Sequence, residues 1–219
     1  MNSLNHSSMT TPSPIITPEL IASAYTYEQY VALSTDLLRQ GRTTSDNPSY
    51  NTPELLGFTK LNLHRMSRLE RFAVIKPELA DLLQHVTERW IWLVLTESWC
   101  GDAAQILPVF QRMTDGSPNV QMRLILRDKN LDVMDAYLTN GTSRSIPKLV
   151  CINADTLAEL GTWGPRPAAL QALVMQWRAE KRPYADVAEQ TQRWYNDDRT
   201  EAIQREMVSL VRQWAKISV

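Results

Sequence analysis

Apolar residues recur along this chain at two spacings, and the change between them divides it. From Thr17 they fall mostly three and four apart, which is the spacing of one helix face. Thr17-Pro18-Glu19 pairs a capping side chain with a proline at the first helical position. Thr26-Tyr27-Glu28-Gln29 reads as a capping box. The helix it opens carries Tyr30, Leu33 and Leu37 on one face and stops at Gly41. Residues 42–51 read as a polar loop. Thr52-Pro53-Glu54 starts another helix, with Leu56, Leu63, Met66 and Leu69 inward, and Pro77-Glu78 starts one through Leu79, Leu82, Leu83 and Val86.

At residues 91–95 the period disappears. Ile-Trp-Leu-Val-Leu is a short continuous apolar run, as expected of a strand buried on both faces. It ends in a loop-like Glu97-Ser98. Residues 103–113 read as a helix that Pro108 should kink. Strands follow at 120–126 and 148–153, with a helix over 131–138 between them. Asn130 is the expected cap of that helix and Asn140-Gly141 its close. A fourth strand, 157–162, is expected to return through a tight turn at Ala154-Asp155, as an antiparallel hairpin. Residues 167–180 read as a helix. From 186 to about 217 the pattern predicts one long helix of roughly 45 Å. Its apolar side is imperfect: Val187, Trp194, Ile203, Met207, Leu210, Val211 and Trp214.

Helices between strands, then a hairpin and a last helix, predict an α/β fold: a mixed central sheet with helices on both faces. The expected divisions are a disordered N-terminus (1–17), a helical extension with the first helix of the domain (18–88), an α/β core (89–181) and a long C-terminal helix (182–219). Composition narrows the partners. The 219 residues include 43% hydrophobic and 21% charged residues, with a net charge of −1. Neither nucleic acid nor an anionic membrane surface is expected as a partner. The N-terminal residues lack the basic and apolar regions of a secretory signal, and no window approaches the ~20 apolar residues of a membrane span. Two cysteines in this length do not make a disulfide framework, so a reducing, cytoplasmic location is expected.

Chemistry concentrates in Trp99-Cys100-Gly101-Asp102-Ala103, between the first strand and a helix. The free N–H groups and dipole of a helix start stabilise a thiolate, the nucleophilic form of cysteine. A carboxylate at Asp102 opposes that second negative charge. Ser145-Ile146-Pro147-Lys148 precedes the third strand. A cis Ile146-Pro147 bond there would free Ile146 main-chain groups to pair with an extended peptide.

These residues resemble the thioredoxin superfamily. They look closest to a bacterial thioredoxin-like family with a W-C-G-D-C centre. Leu126-Arg127-Asp128, Tyr137 to Gly141, Arg144 to Pro147 and Trp163 to Pro167 match further stretches of that family. The resemblance spans roughly residues 90–180, and the helices of 17–86 look like that family's N-terminal extension. It implies a reactive Cys100 and a substrate groove, with Trp99, Gly101, Asp102, Ile146 and Pro147 beside it. It does not carry the second, resolving cysteine, whose place Ala103 holds. Val94 stands where thioredoxins place a buried aspartate. Cys151, four positions past Pro147 on one strand, lies ~13 Å along the sheet from it. That exceeds the ~7 Å a disulfide spans between Cα atoms, so Cys151 reads as an inert core residue.

Three readings stay open. Cys100 exchanges thiols alone and an external thiol, such as glutathione or bacillithiol, resolves it. Alternatively the fold is a redox-silent binding module, or Ala103 is a Cys-to-Ala change in a dithiol oxidoreductase. The expected partner is a protein or low-molecular-weight disulfide or thiol, with no cofactor. His6, His64 and His85 have no ligand spacing with either cysteine, so no metal is expected. Arg127-Asp128-Lys129 reads as a solvated loop and Arg144 as a surface residue. Trp163 to Pro167 reads as a strand-to-helix connection with a stacked Trp, and a site border is the alternative. The last helix is expected to pack on the body, with a dimer interface as the alternative.

Overall fold

A computed structural model of the chain describes residues 15–217. Its centre is a four-stranded sheet in the order β2-β1-β3-β4. Strand β1 (Trp90–Thr96) is buried along its whole length, as its unbroken apolar run predicts. It pairs in parallel with β2 (Val120–Leu126) and antiparallel with β3 (Lys148–Asn153). Strand β4 (Glu159–Trp163) closes the hairpin onto β3. It begins later than expected because Leu157, at φ 58°, still belongs to the turn.

Helices surround this sheet, and the architecture is the expected mixed α/β fold. The N-terminal helices are α1 (Pro18–Ser23), α2 (Tyr27–Arg39), α3 (Pro53–Phe72) and α4 (Pro77–Gln84). Thr17, Thr26 and Thr52 each accept a backbone N–H of the first turn, and Thr26 with Gln29 forms the capping box. Between α1 and α2, Tyr25 exchanges two 2.8 Å backbone hydrogen bonds with Leu124 and fastens the extension to the sheet edge. Residues 1–14 of the segment expected to be disordered lie outside the described residues. Its end needs correction: Ile16 is buried in the core.

Helix α5 (Gly101–Asp115) follows β1 and runs continuously through Pro108. Helix α6 (Leu131–Ala136) starts where expected but ends two residues early, at a C-cap on Tyr137; Asn130 precedes it without a cap bond and donates to Leu126 O instead. After α7 (Ala168–Ala179) the expected long helix is two: α8 (Tyr184–Asp198) and α9 (Glu201–Trp214). Arg199 and Thr200 break it, with φ of 51° and 70°. The Asp198 carboxylate then accepts the Ala202 N–H and holds the new start. Two packing surfaces account for the break. Helix α8 lies against α5 and α7, whereas α9 lies against α4 and β4. One straight rod could not serve both. Trp214 on α9 meets Trp90 and Trp92 edge-on, Phe110 meets Trp92 and Trp163 likewise, and these rings fill the core.

Candidate functional site

The C-terminal end of β1 delivers residues 97–102 to the start of α5. Cys100 is the N-cap of that helix. Its Sγ accepts the Ala103 N–H at 3.5 Å and donates to Ile146 O at 3.3 Å. The Ile146-Pro147 bond is cis. The thiol is therefore held between a helix start and the turn before β3. Burial pushes its pKa up to about 12, with the Asp102 charge adding to the rise and the Ala103 N–H and Arg166 opposing it. The sequence leaves that balance open; in the folded chain desolvation outweighs the helix end.

Asp102 does not face solvent. Arg166 grips it with two bonds, Nη2 to Oδ2 at 2.6 Å and Nε to Oδ1 at 3.2 Å, and Tyr195 donates to Oδ1 at 2.7 Å. Arg166 comes from the turn after β4 and Tyr195 from α8, so one carboxylate joins three segments over the site. The turn also requires its glycine. Gly164 has φ 117°, and a Cβ there would sit 2.4 Å from Pro147 O. Trp163 does meet a ring, Phe110, but its neighbour Arg166 makes this stretch a border of the site.

On the other side of Cys100 lies a buried polar network. Glu97 accepts the Asp128 N–H at 2.9 Å and the Thr44 hydroxyl. Thr44 in turn accepts the Ser98 N–H at 2.9 Å, and Asn62 donates to Ser98 O at 3.0 Å. Burial raises the Glu97 pKa to about 7, while the Thr44 and Asp128 hydrogen bonds oppose the rise. Two expectations change here. The polar loop of 42–51 is not solvated throughout, because Thr43, Thr44 and Ser45 are fully buried. Arg127 and Asp128 do not form a solvated loop either: their paired side chains are about one-tenth exposed, and only Lys129 reaches solvent. Arg127 lies over the Trp99 ring at 4.8 Å and the Tyr50 ring at 5.1 Å, and those two rings stack at 4.7 Å.

Trp99, Cys100, Gly101, Asp102 and Ile146 line one cleft of about 660 Å³. Pro147 is buried beside it and is not part of the lining. Ala103 is buried behind the loop, 1% exposed. Val94 is apolar and fully buried; the buried acid of this region is Glu97, three residues later. Cys151 is fully buried opposite Trp92 in the sheet, and both cysteines are free. Arg144 is an exposed residue paired to Asp135 at 2.6 Å, at the cleft rim. Sequence reading misses Glu97, Arg166, Tyr195 and Arg65. The W-G-P-R-P stretch was the one available signal for Arg166; the others meet the site only through the fold. Among the described residues no group of three or more His, Cys, Asp or Glu could hold a metal ion, and no helix is long and apolar enough to cross a membrane.

Two solved structures share this fold. A protein of unknown function from Pseudomonas aeruginosa is 17% identical, with a TM-score of 0.51, over 85% of this chain and 97% of its own. An HIV epitope-scaffold is 16% identical with a TM-score of 0.51, over 85% of this chain and 98% of its own. No curated protein matches. The family model described as Thioredoxin matches residues 51–181, which is more than half of the sequence and includes the whole Cys100 loop and the cis-proline turn, and the chain belongs to that family.

Proposed function

We propose that the chain is a monothiol exchange protein working through Cys100. The observation that carries this reading is the position of the one cleft-facing thiol, at a helix start and beside a cis-proline turn. Deprotonated Cys100 attacks one sulfur of a mixed disulfide between a protein and a small thiol. A new disulfide joins Cys100 to the small thiol, and the protein thiolate leaves. A second molecule of small thiol attacks that adduct as its thiolate. This releases the oxidised small disulfide and returns Cys100. Ala103 cannot resolve the adduct internally. With the thiol pushed up to about 12, exchange is slow at neutral pH and quickens as pH rises.

The test is intact-mass analysis after incubation with oxidised glutathione over a pH series. One adduct is expected, at Cys100, forming faster at each higher pH and absent from Cys100→Ser. An unmodified protein throughout the alkaline range would overturn the reading. Ala103→Cys places a second thiol three residues on and should convert slow exchange into dithiol disulfide reduction.

The same raised pKa favours a second reading, in which the cleft binds a partner and the thiol is redox-silent. Partner binding would then survive Cys100→Ser, and oxidised glutathione would leave no adduct.

A further inference from the structure

The cleft beside Cys100 differs in charge from the rest of the chain. The whole sequence holds 23 Lys and Arg against 24 Asp and Glu. The cleft lining holds six arginines, Arg65, Arg127, Arg144, Arg166, Arg178 and Arg182, and two acids, Asp102 and Glu189. Four of the arginines are matched: Arg127 to Asp128, Arg144 to Asp135, Arg166 to Asp102 and Arg182 to Glu180. Glu189 pairs outside the set, with Arg193. Arg65 and Arg178 have no carboxylate partner among the described residues.

Arg65 is the more informative of the two. It is half-buried, and its one hydrogen-bond partner among the described residues is the neutral Asn62 Oδ1 at 2.8 Å. Its Nη1 lies 3.7 Å from where a Gly101 Cβ would be, against the first residue of α5. Burial and the neighbouring Arg68 lower its pKa, which shows how little local charge offsets it. A half-buried guanidinium without a counter-charge, next to the positive end of a helix, is in place to bind an anion. Arg178 adds a second, exposed guanidinium from α7 on the same cleft. The volume of about 660 Å³ is that of a small-molecule site.

We propose that this cleft binds a small organic anion through Arg65 and Arg178, and that the thiol exchanged at Cys100 is accordingly a low-molecular-weight thiol bearing carboxylates. The second clause rests on the exchange reading above; the first does not. The carboxylates dock on the arginines and bring the small disulfide alongside Sγ. No covalent step beyond the exchange already written is involved.

S-methylglutathione, which has two carboxylates and no free thiol, separates the two clauses. Its binding is measured by calorimetric titration of the full chain, beside its diester. The wild type should bind the free acid and lose roughly tenfold or more with the diester, with Arg65→Gln or with Arg178→Gln. Arg39→Gln, at an exposed pair far along the sequence, should bind as wild type. Added salt should weaken the free acid selectively. Equal binding of acid and diester, or equal binding by both cleft variants and wild type, would overturn the anion site. Arg178 is exposed, so its variant reports even where Arg65→Gln folds poorly. Arginine-dependent binding without any glutathione adduct at Cys100 keeps the anion site and defeats the exchange reading. An adduct without arginine dependence does the reverse.

Discussion

Two buried carboxyl groups flank Cys100, Glu97 three residues before it and Asp102 two residues after, and the fold treats them in opposite ways. Asp102 is given a full counter-charge. Arg166 meets it in a two-pronged pair with both side chains about one-tenth exposed, and Tyr195 takes a remaining lone pair. Glu97 is given neutral donors, a threonine hydroxyl and a backbone N–H. Arg127, whose charge lowers the Glu97 pKa slightly, is already bound to Asp128. Hydrogen bonds satisfy Glu97 geometrically but do not cancel the cost of a buried charge, so its proton is held to about pH 7. The same residue chemistry thus acts as a clasp on one side of the thiol and as a titrating strut on the other. Removing the charge should destabilise one side and stabilise the other.

The larger effect belongs to the clasp. Asp102→Ala leaves Arg166 buried without its counter-charge, with only the neutral Gln171 Oε1 still accepting from it, and leaves the Tyr195 hydroxyl without its acceptor. Breaking a buried pair in this way costs about 3–5 kcal/mol, which a shift in denaturant midpoint at constant slope would measure. Tyr195→Phe keeps the ion pair and should lose much less. The same Asp102 substitution removes a negative charge that raises the Cys100 pKa. Alkylation of Cys100 by iodoacetamide should therefore speed up in Asp102→Ala at moderately alkaline pH. Unchanged stability would mean that Arg166 finds another partner, and Asp102 would not be a clasp.

Glu97→Gln should move stability the other way, and only above a certain pH. The folded pKa of Glu97 lies above its ordinary value of 4.5, so the folded chain binds this proton more tightly than the unfolded one. The contribution is most favourable below pH 4.5, falls as pH rises through about 7, and then levels off. A difference of that size corresponds to about 3 kcal/mol at most. Glutamine keeps an oxygen for Asp128 N–H and carries no charge to bury. The variant should match wild type near pH 4.5, gain on it up to about pH 7 and hold that gain beyond. Parallel pH–stability curves for the two proteins would show that Glu97 does not titrate in this window.

How much of this was legible in the sequence follows the range of each interaction. Strands β1, β2 and β3 and the starts of α1 to α4 depend on neighbouring residues, and hydrophobic period and caps located them. The Cys100 loop and the Ile146-Pro147 turn are likewise local, and the resemblance to the thioredoxin family rests on such short stretches. The clasp and the strut are not local. Asp102 meets Arg166 64 positions away and Tyr195 93 positions away, and Glu97 meets Thr44 53 positions away. A polar stretch such as 42–51 reads as solvated until the fold buries it. The break between α8 and α9 was hidden for a different reason. Neither glycine nor proline marks it; Arg199 and Thr200 take left-handed conformations that their residue types do not advertise.

The smallest effect tests the outer edge of the strut side. Tyr50, in a short 3-10 turn of residues 48–50, stacks nearly parallel on Trp99, and Arg127 covers both rings. Tyr50→Leu keeps apolar area over Trp99 and removes the ring contact and the cation–π partner. The expected loss is about 1 kcal/mol, because such contacts at half-exposed positions are worth little more. The contact removed is ring stacking under the Arg127 guanidinium, which stays charged throughout, so the loss should be the same at pH 5 and pH 8. That flat response separates it from Glu97→Gln, although both residues connect through Arg127 and Asp128. A loss that grows with pH would mean that Tyr50 tunes the Glu97 proton through Arg127. The strut would then extend to the aromatic edge of the cleft.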